Sequence, residues 1–168
     1  MSPVSRKTII EEFMKKAKKE RNMRSGFEPG LQSALIFIYC WISFEAFTCF
    51  RYNEDAVWKR IDRFCSEFKD RYSQWYDVSP GDFKGDIIAL KKYAIHDMRP
   101  NHQNNPPKQI TDEKKLRNVF EVIYSVRCNL FHGGKDVTDT IDADIIRYSS
   151  GVLYFILEHF LIAEGYSW

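Results

Sequence analysis

The stretch SVRCNLFHGGKD, residues 125–136, contains the side chains whose types and spacing are best suited to chemistry. Arg127 and His132 are five positions apart, and two glycines follow the histidine. An imidazole gains or loses a proton near neutral pH, and a guanidinium binds anionic oxygens through a planar fork of donors. Proton transfer and anion binding are therefore the chemistry to weigh. The alternative is structural, because both side chains also suit the last turn of a helix, where cations favour the dipole and cap carbonyls.

Helical geometry decides how these side chains can meet. At about 100° per residue, Arg127 and His132 point roughly 140° apart around one helix. Cys128 shares the face of His132, four residues earlier, and Asn129 lies about 60° from it. Two arrangements could bring Arg127 and His132 together. The helix end unwinds before the glycines, or two copies of this helix face each other across a two-fold axis.

The elements that must position this stretch are predicted to be helices. Apolar residues recur at intervals of three and four, strand alternation is absent, and no internal repeat is visible. We predict an all-α bundle of about five main helices over residues 31–168, with residues 1–30 adding a basic N-terminal helix and a Gly/Pro-rich break. The helical segments are predicted at about 6–24, 31–50, 54–75, 82–96, 111–132 and 141–163. Residues 97–109 are predicted to form a mobile loop.

Composition and charge limit the class of protein. The 168 residues are 44% apolar and 29% charged, as in a single soluble domain. Residues 1–25 contain eight basic and three acidic side chains, a net charge of +5. Because the whole chain has a formal net charge of +2, the remaining residues have a net charge of −3. This basic segment could follow a phosphate backbone or form a solvated helix face. The four cysteines lack zinc-site spacing and are predicted to be free buried thiols.

The apolar segment 31–50 raises the question of a membrane span. It contains Gln32 and the near-central Glu45, and a charge at mid-bilayer costs about 2.5–3.5 kcal/mol on insertion scales. We predict instead a core helix of a soluble protein, with no membrane partner. The first ten residues do not resemble a signal peptide, so a cytoplasmic location is expected.

The run RCNLFHG, residues 127–133, resembles the signature of HEPN domains, in which an Arg, four to six residues and then a His lie on the penultimate long helix. The aromatic run WISFEAF, residues 41–47, is similar to the early core helix of that family. Helix order, chain length and the glycine after the histidine are also similar. The resemblance covers about residues 31–163.

This resemblance implies chemistry on RNA. Many HEPN proteins are metal-independent endoribonucleases that act as homodimers, with both Arg-His pairs in one interfacial cleft. His132 would then be the general acid–base, and Arg127 would hold the scissile phosphate. Products with 2′,3′-cyclic phosphate ends, a role as a toxin or defence effector, and an antitoxin or nucleotidyltransferase-like partner are implied as well. No metal or other cofactor is predicted, because the sequence offers no acidic cluster at ligand spacing.

Four further residues are candidates for supporting the site. Family members thought to be active often carry a polar residue directly after the Arg, whereas this chain has Cys128 there and Asn129 one position later. Asn129 could orient His132, and Cys128 is either a nucleophile or a buried thiol. Glu45 either pairs with Arg127 or lies at the rim of the cleft, or else it belongs to a structural ion pair or to a solvent-facing edge. Lys135 is either an RNA contact beside the bound phosphate or an exposed lysine.

Two other classes of function remain open from the sequence. The first is a non-catalytic module that binds RNA or a nucleotide through Arg127 and His132, and Cys128 is the feature in its favour. The second is a helical dimerisation or interaction subunit, in which the motif serves packing and the apolar excess of segment 31–50 lies at an interface.

Overall fold

The structure is a computed structural model that describes residues 3–23, 29–99, 102, 104–132 and 136–168. It is all-α and contains six helices, and the described residues form no strand. The helices are α1 (Pro3–Asn22), α2 (Pro29–Tyr52), α3 (Val57–Val78), α4 (Gly81–Leu90), α5 (Leu116–Phe131) and α6 (Thr140–Ala163). The prediction of an all-helical chain is therefore confirmed.

Aromatic rings fill the centre of the bundle. Phe44 of α2 lies against Phe64 of α3 and Phe120 of α5, with ring centroids 5.3 and 5.0 Å away. Phe160 of α6 completes the cluster at 5.9 Å from Phe64. All four rings are fully buried, and burying a phenylalanine contributes about 1.5–3 kcal/mol. This cluster fixes α5, and with it residues 125–132, against α2 and α3.

Helix α1 contributes to the same core. Its residues Ile10, Met14 and Ala17 are fully buried, and the Ser43 hydroxyl of α2 donates a hydrogen bond to the Ile10 carbonyl at 3.3 Å. The side chains of Lys15, Lys16, Lys18 and Lys19 are exposed on the opposite side. From the sequence, residues 1–30 were predicted to be an addition to the bundle. In the structure, α1 packs as part of the bundle and has a solvated basic face.

Two predicted helix boundaries were wrong. The fourth helix ends at Leu90 rather than near residue 96, because Ile95 leaves the helix and exchanges backbone hydrogen bonds of 2.8 Å with Lys108. The fifth begins at Leu116 rather than at Thr111. There the Asn118 side-chain oxygen accepts hydrogen bonds from the backbone N–H groups of Thr111 and Asp112, which holds the chain in a turn.

The loop predicted to be mobile is tied down at its described flanks. The Ile95–Lys108 bridge closes its base. Within it, the Arg99 guanidinium forms a two-pronged ion pair with the Asp97 carboxylate. Asn129 of α5 also binds the backbone on either side of Asp97. The sequence composition indicated a loop correctly but gave no sign of these anchors.

Within the described part of the chain, α2 and α6 are long and apolar enough to cross a membrane by length and composition alone. About 56% of the apolar window of α2 and 67% of that of α6 are buried inside the bundle. The core helix of a globular protein meets the same criteria.

The start of α6 depends on one side chain. Asp139 occupies the N-cap, and its carboxylate accepts hydrogen bonds of 3.0 Å from the backbone N–H groups of Ile141 and Asp142. We expect Asp139→Ala to lower the free energy of unfolding by about 1 kcal/mol. Urea denaturation followed by circular dichroism would measure it. Asp70→Ala, at an exposed position of α3, is the matched control and should change stability by less than about 0.5 kcal/mol; equal losses would contradict the capping role.

Candidate functional site

The apolar stripe of α5 determines where its polar residues point. The buried positions of this stripe face the bundle, and they are Leu116, Val119, Phe120, Ile123 and Val126. The helix ends at Phe131, and His132 is its C-cap, with its backbone N–H donating to the Cys128 carbonyl at 3.0 Å. The side chains of Phe131 and His132 are both exposed. The helix end therefore presents an aromatic ring and an imidazole to solvent.

The Arg127 side chain reaches back over α2. Its Nη2 lies 3.5 Å from Oε1 of Glu45. Its guanidinium is 5.7 Å from the ring centroid of Trp41 and 4.9 Å from that of Phe131, which are cation–π distances. The side chain is 23% exposed, and its buried Nε has no hydrogen-bond partner among the described residues. Contacts with Glu45, Trp41 and Phe131 hold the guanidinium in place. Part of its capacity to donate hydrogen bonds is unused within the described residues.

Glu45 holds more than one cation. Its Oε1 accepts a hydrogen bond of 2.5 Å from the Trp41 indole N–H, and its Oε2 lies 3.6 Å from Nη2 of Arg60. Arg60 is buried and also donates to the backbone carbonyls of Glu54 and Asp55. Glu45 thus bridges a buried structural arginine and the partly exposed Arg127. Both interpretations of Glu45, as a partner of Arg127 and as a structural ion pair, apply.

A shallow groove of about 480 Å³ runs beside Arg127. Its apolar walls come from α2 and from the end of α5, and its charged groups are those of the Glu45 network. The lining residues are Trp41, Ile42, Glu45, Ala46, Cys49, Arg60, Arg127 and Phe131. Phe131 is 47% exposed, so an aromatic face and a guanidinium are accessible at one place on the surface. This combination suits a nucleobase and its phosphate.

Asn129 faces away from this groove. It is 2% exposed, and its side-chain amide donates to the His96 carbonyl at 2.6 Å and accepts from the Met98 N–H at 2.8 Å. Both ends of the amide are therefore engaged with the backbone of residues 96–98. In this arrangement Asn129 anchors a loop, and no hydrogen bond between it and His132 occurs in the described part of the chain.

Cys128 is also directed inward. Its side chain is fully buried, and burial raises the pKa of its thiol, with Arg99 and a hydrogen bond from Tyr124 acting in the opposite direction. The thiol stays protonated at neutral pH, and the thiolate is the nucleophilic form. The structure favours the buried-thiol interpretation of Cys128 over that of a nucleophile.

The structure thus brings together some of the predicted site residues and separates others. Arg127 and Glu45 are in contact, whereas Cys128 and Asn129 point toward the interior and the 96–98 loop. His132 lies beyond the last turn of α5, and no hydrogen bond joins it to Arg127 among the described residues. Lys135, Gly133 and Gly134 lie outside the described residues. No group of three or more potential ligands of a metal ion occurs among the residues that the structure does describe.

Sequence reasoning missed Arg60 and Phe131. Arg60 falls three residues after Val57 and four before Phe64, so it occupies a position of the apolar stripe of α3. An arginine at such a position is expected to be buried and to need an anionic partner. Glu45 is the acidic residue within the apolar segment 31–50 and was the available candidate. Phe131 does not belong to the apolar stripe of α5. An aromatic residue outside the stripe and next to His132 indicates an exposed ring beside the candidate histidine, and this was the available signal.

Comparison of the chain with protein-family models, curated proteins and solved structures finds no match.

Proposed function

We propose that the protein is a metal-independent endoribonuclease of HEPN type that acts in the cytoplasm as a homodimer. Arg127 and His132 are its catalytic residues, and RNA cleavage leaves 2′,3′-cyclic phosphate ends. The observation that carries the proposal is the exposed end of α5. There the exposed Phe131 and the partly exposed Arg127 line one groove, and the exposed His132 directly follows Phe131 in the chain.

The chemistry assigns two proton transfers to the histidines of the dimer and one charge contact to Arg127. His132 accepts the proton of the ribose 2′-hydroxyl, which attacks the adjacent phosphorus, and the second histidine of the dimer protonates the leaving 5′-oxygen. Arg127 donates hydrogen bonds to the non-bridging oxygens and stabilises the charge that develops on the phosphorane. Glu45 holds the guanidinium through Nη2 and thereby orients it beside the groove.

The arrangement within one protomer supports pairing of two copies. Arg127 extends over α2, whereas His132 lies past the helix end and does not line the groove beside Arg127. A two-fold axis beside the end of α5 would bring the Arg127 of one protomer toward the His132 of its partner. The exposed ring of Phe131 is then covered by the second copy. A toxin or defence role, with an antitoxin or nucleotidyltransferase-like partner, rests on the resemblance.

A second candidate function is supported by a specific observation. Glu45 neutralises part of the charge of Arg127, and Cys128 occupies the position after the arginine where active family members often carry a polar residue. Both features suit a module that binds RNA or a nucleotide without cleaving it. Arg127 would then contribute affinity rather than transition-state stabilisation.

The deciding experiment measures cleavage and binding of a mixed panel of structured and single-stranded RNAs in EDTA. We expect the wild-type protein to cleave and Arg127→Gln to lose at least about 100-fold in rate, a typical effect of removing one donor to a developing oxyanion. Arg63→Gln, at an exposed arginine paired with Glu54 on the surface, is the matched control and should retain wild-type activity. Binding that is lost in Arg127→Gln, without any cleavage by the wild type, would establish the second candidate instead.

A further inference from the structure

A second cavity of the described structure lies away from α5. It occupies about 500 Å³ between the end of α1, the start of α2, α4 and the middle of α6. Two cations, Arg21 and Arg147, and two carboxylates, Asp82 and Asp86, line it together with Gln32 and Ser33. None of its lining residues belongs to the site around Arg127, so whatever it binds is separate from the proposed ribonuclease chemistry.

Asp86 is the side chain that calls for an explanation. It is about half-buried, and its carboxylate has no hydrogen bond or ion pair among the described residues. Burial raises its pKa to about 6, and the negative charge of Asp82 acts in the same direction. The positive charges of Arg21 and Arg147 act to lower it. An ionised carboxylate in this position costs stability. A bound cationic group would remove that cost.

The backbone around Asp86 is shaped to leave space. A Cβ at position 151 of α6 would overlap the Asp86 carboxylate, so the glycine there permits its position. A Cβ at Gly81 or Gly85 would meet nothing within 4 Å, and both glycines line the cavity. The wall formed by α4 therefore presents the side chains of Asp82 and Asp86 and leaves open space at the two glycines.

The cations in the cavity are available to different degrees. Arg147 is bound to the Asp144 carboxylate at 3.1 Å and to the Tyr148 hydroxyl. Arg21 packs over the rings of Phe155 and Tyr154, at 4.3 and 5.1 Å from their centroids, and no carboxylate of the described residues lies within ion-pair distance of it. The cavity thus contains a guanidinium and a carboxylate that each lack a direct ion-pair partner among the described residues, although Arg21 and Arg147 act on Asp86 through their charge.

We infer that this cavity binds a free α-amino acid, whose ammonium pairs with Asp86 and whose carboxylate pairs with Arg21. A purely cationic ligand would meet two arginines, and a purely anionic one would meet two aspartates. A zwitterion satisfies both signs at once. Because Asp86 destabilises the empty protein and holds the ligand, its removal should affect stability and binding in opposite directions.

Isothermal titration calorimetry of the full chain with each of the common L-amino acids, at millimolar concentration, tests this inference. We expect one or a few to bind, and the amide and the N-acetyl derivative of the best ligand to bind at least about tenfold more weakly, since each lacks one charge. Affinity should fall about tenfold per pH unit below about pH 6, as Asp86 becomes protonated. Equal binding of either derivative, or no binding of any amino acid, overturns the inference.

Two variants separate the site from the fold. Gly85→Leu adds a side chain where the cavity is open and improves helix propensity, so it should fold normally and lose the ligand; unchanged affinity would place the binding elsewhere. Asp86→Asn should lose at least about tenfold in affinity.

The pH dependence of stability gives Asp86→Asn a second readout. The folded-state pKa lies above the ordinary value, so the destabilisation is absent below about pH 4, grows as pH rises, and is complete above about pH 6. With half of the side chain solvated, we expect Asp86→Asn to raise Tm by about 2–5 °C at pH 8 and by less at pH 5. A lower Tm at pH 8 would show that the arginines already satisfy the carboxylate, and would overturn the inference.

Discussion

Replacing His132 with alanine is expected to abolish RNA cleavage while leaving the fold intact. A positioned general acid–base contributes about 10²–10⁴-fold to rate, and under the proposed function both proton transfers depend on this imidazole. The side chain is exposed and follows the last turn of α5, so its truncation removes no core contact. Single-turnover cleavage of labelled RNA, with Tm measured in parallel, would separate the two effects.

The matched control for this variant is His102→Ala. His102 is another partly exposed histidine, placed in the 96–108 loop, where its ring contacts Asn105 and lies 3.9 Å from Asp97. Its replacement should leave the cleavage rate within about twofold of the wild type, a change of under about 0.5 kcal/mol in activation free energy. If both variants lose activity equally, His132 has no special role. If neither loses activity, the motif is not the catalytic site.

Replacing Asn129 with alanine is expected to give the largest loss of stability among residues of the motif. The variant leaves the Met98 N–H and the His96 carbonyl without their partner. Both hydrogen bonds are partly buried, so each unpaired group costs less than the roughly 1–3 kcal/mol of a fully buried one, and a total of about 1–3 kcal/mol is expected. Urea denaturation would measure the loss, and hydrogen exchange of the Met98 amide would show that the 96–98 loop is released.

Asn104→Ala is the control, since Asn104 is an exposed residue of the same loop and should change stability by less than about 0.5 kcal/mol. If Asn129→Ala keeps the stability of the wild type and loses cleavage instead, Asn129 supports His132 and does not anchor the loop.

The helical architecture follows from local patterns in the sequence. The stripes of α3 and α5 and the apolar α2 and α6 each specify a helix and its buried face through spacing alone. The ends of α4 and α5 did not follow, because they depend on tertiary contacts: a two-residue bridge between Ile95 and Lys108, and the capture of a turn by the Asn118 side chain. Periodicity contains no information about such long-range hydrogen bonds.

The candidate site shows the same division between local and long-range information. The sequence identified Arg127, His132 and Glu45 by residue type, and helical geometry predicted that Arg127 and His132 diverge. It did not predict that Asn129 turns inward to a loop 31 residues earlier in the chain. Nor did it reveal the buried Arg60, which pairs with Glu45 independently of Arg127. These relations depend on which helices are neighbours.

The chemical identity of the RNA ends tests the central claim most directly. Wild-type protein would be incubated with a single-stranded RNA in excess EDTA, and the termini of the products would be determined by mass spectrometry and by phosphatase sensitivity. The proposed mechanism predicts 2′,3′-cyclic phosphates paired with 5′-hydroxyl ends, because the 2′-hydroxyl deprotonated by His132 is the nucleophile. Products with 3′-hydroxyl and 5′-phosphate ends, or intact RNA at high protein concentration, would contradict it.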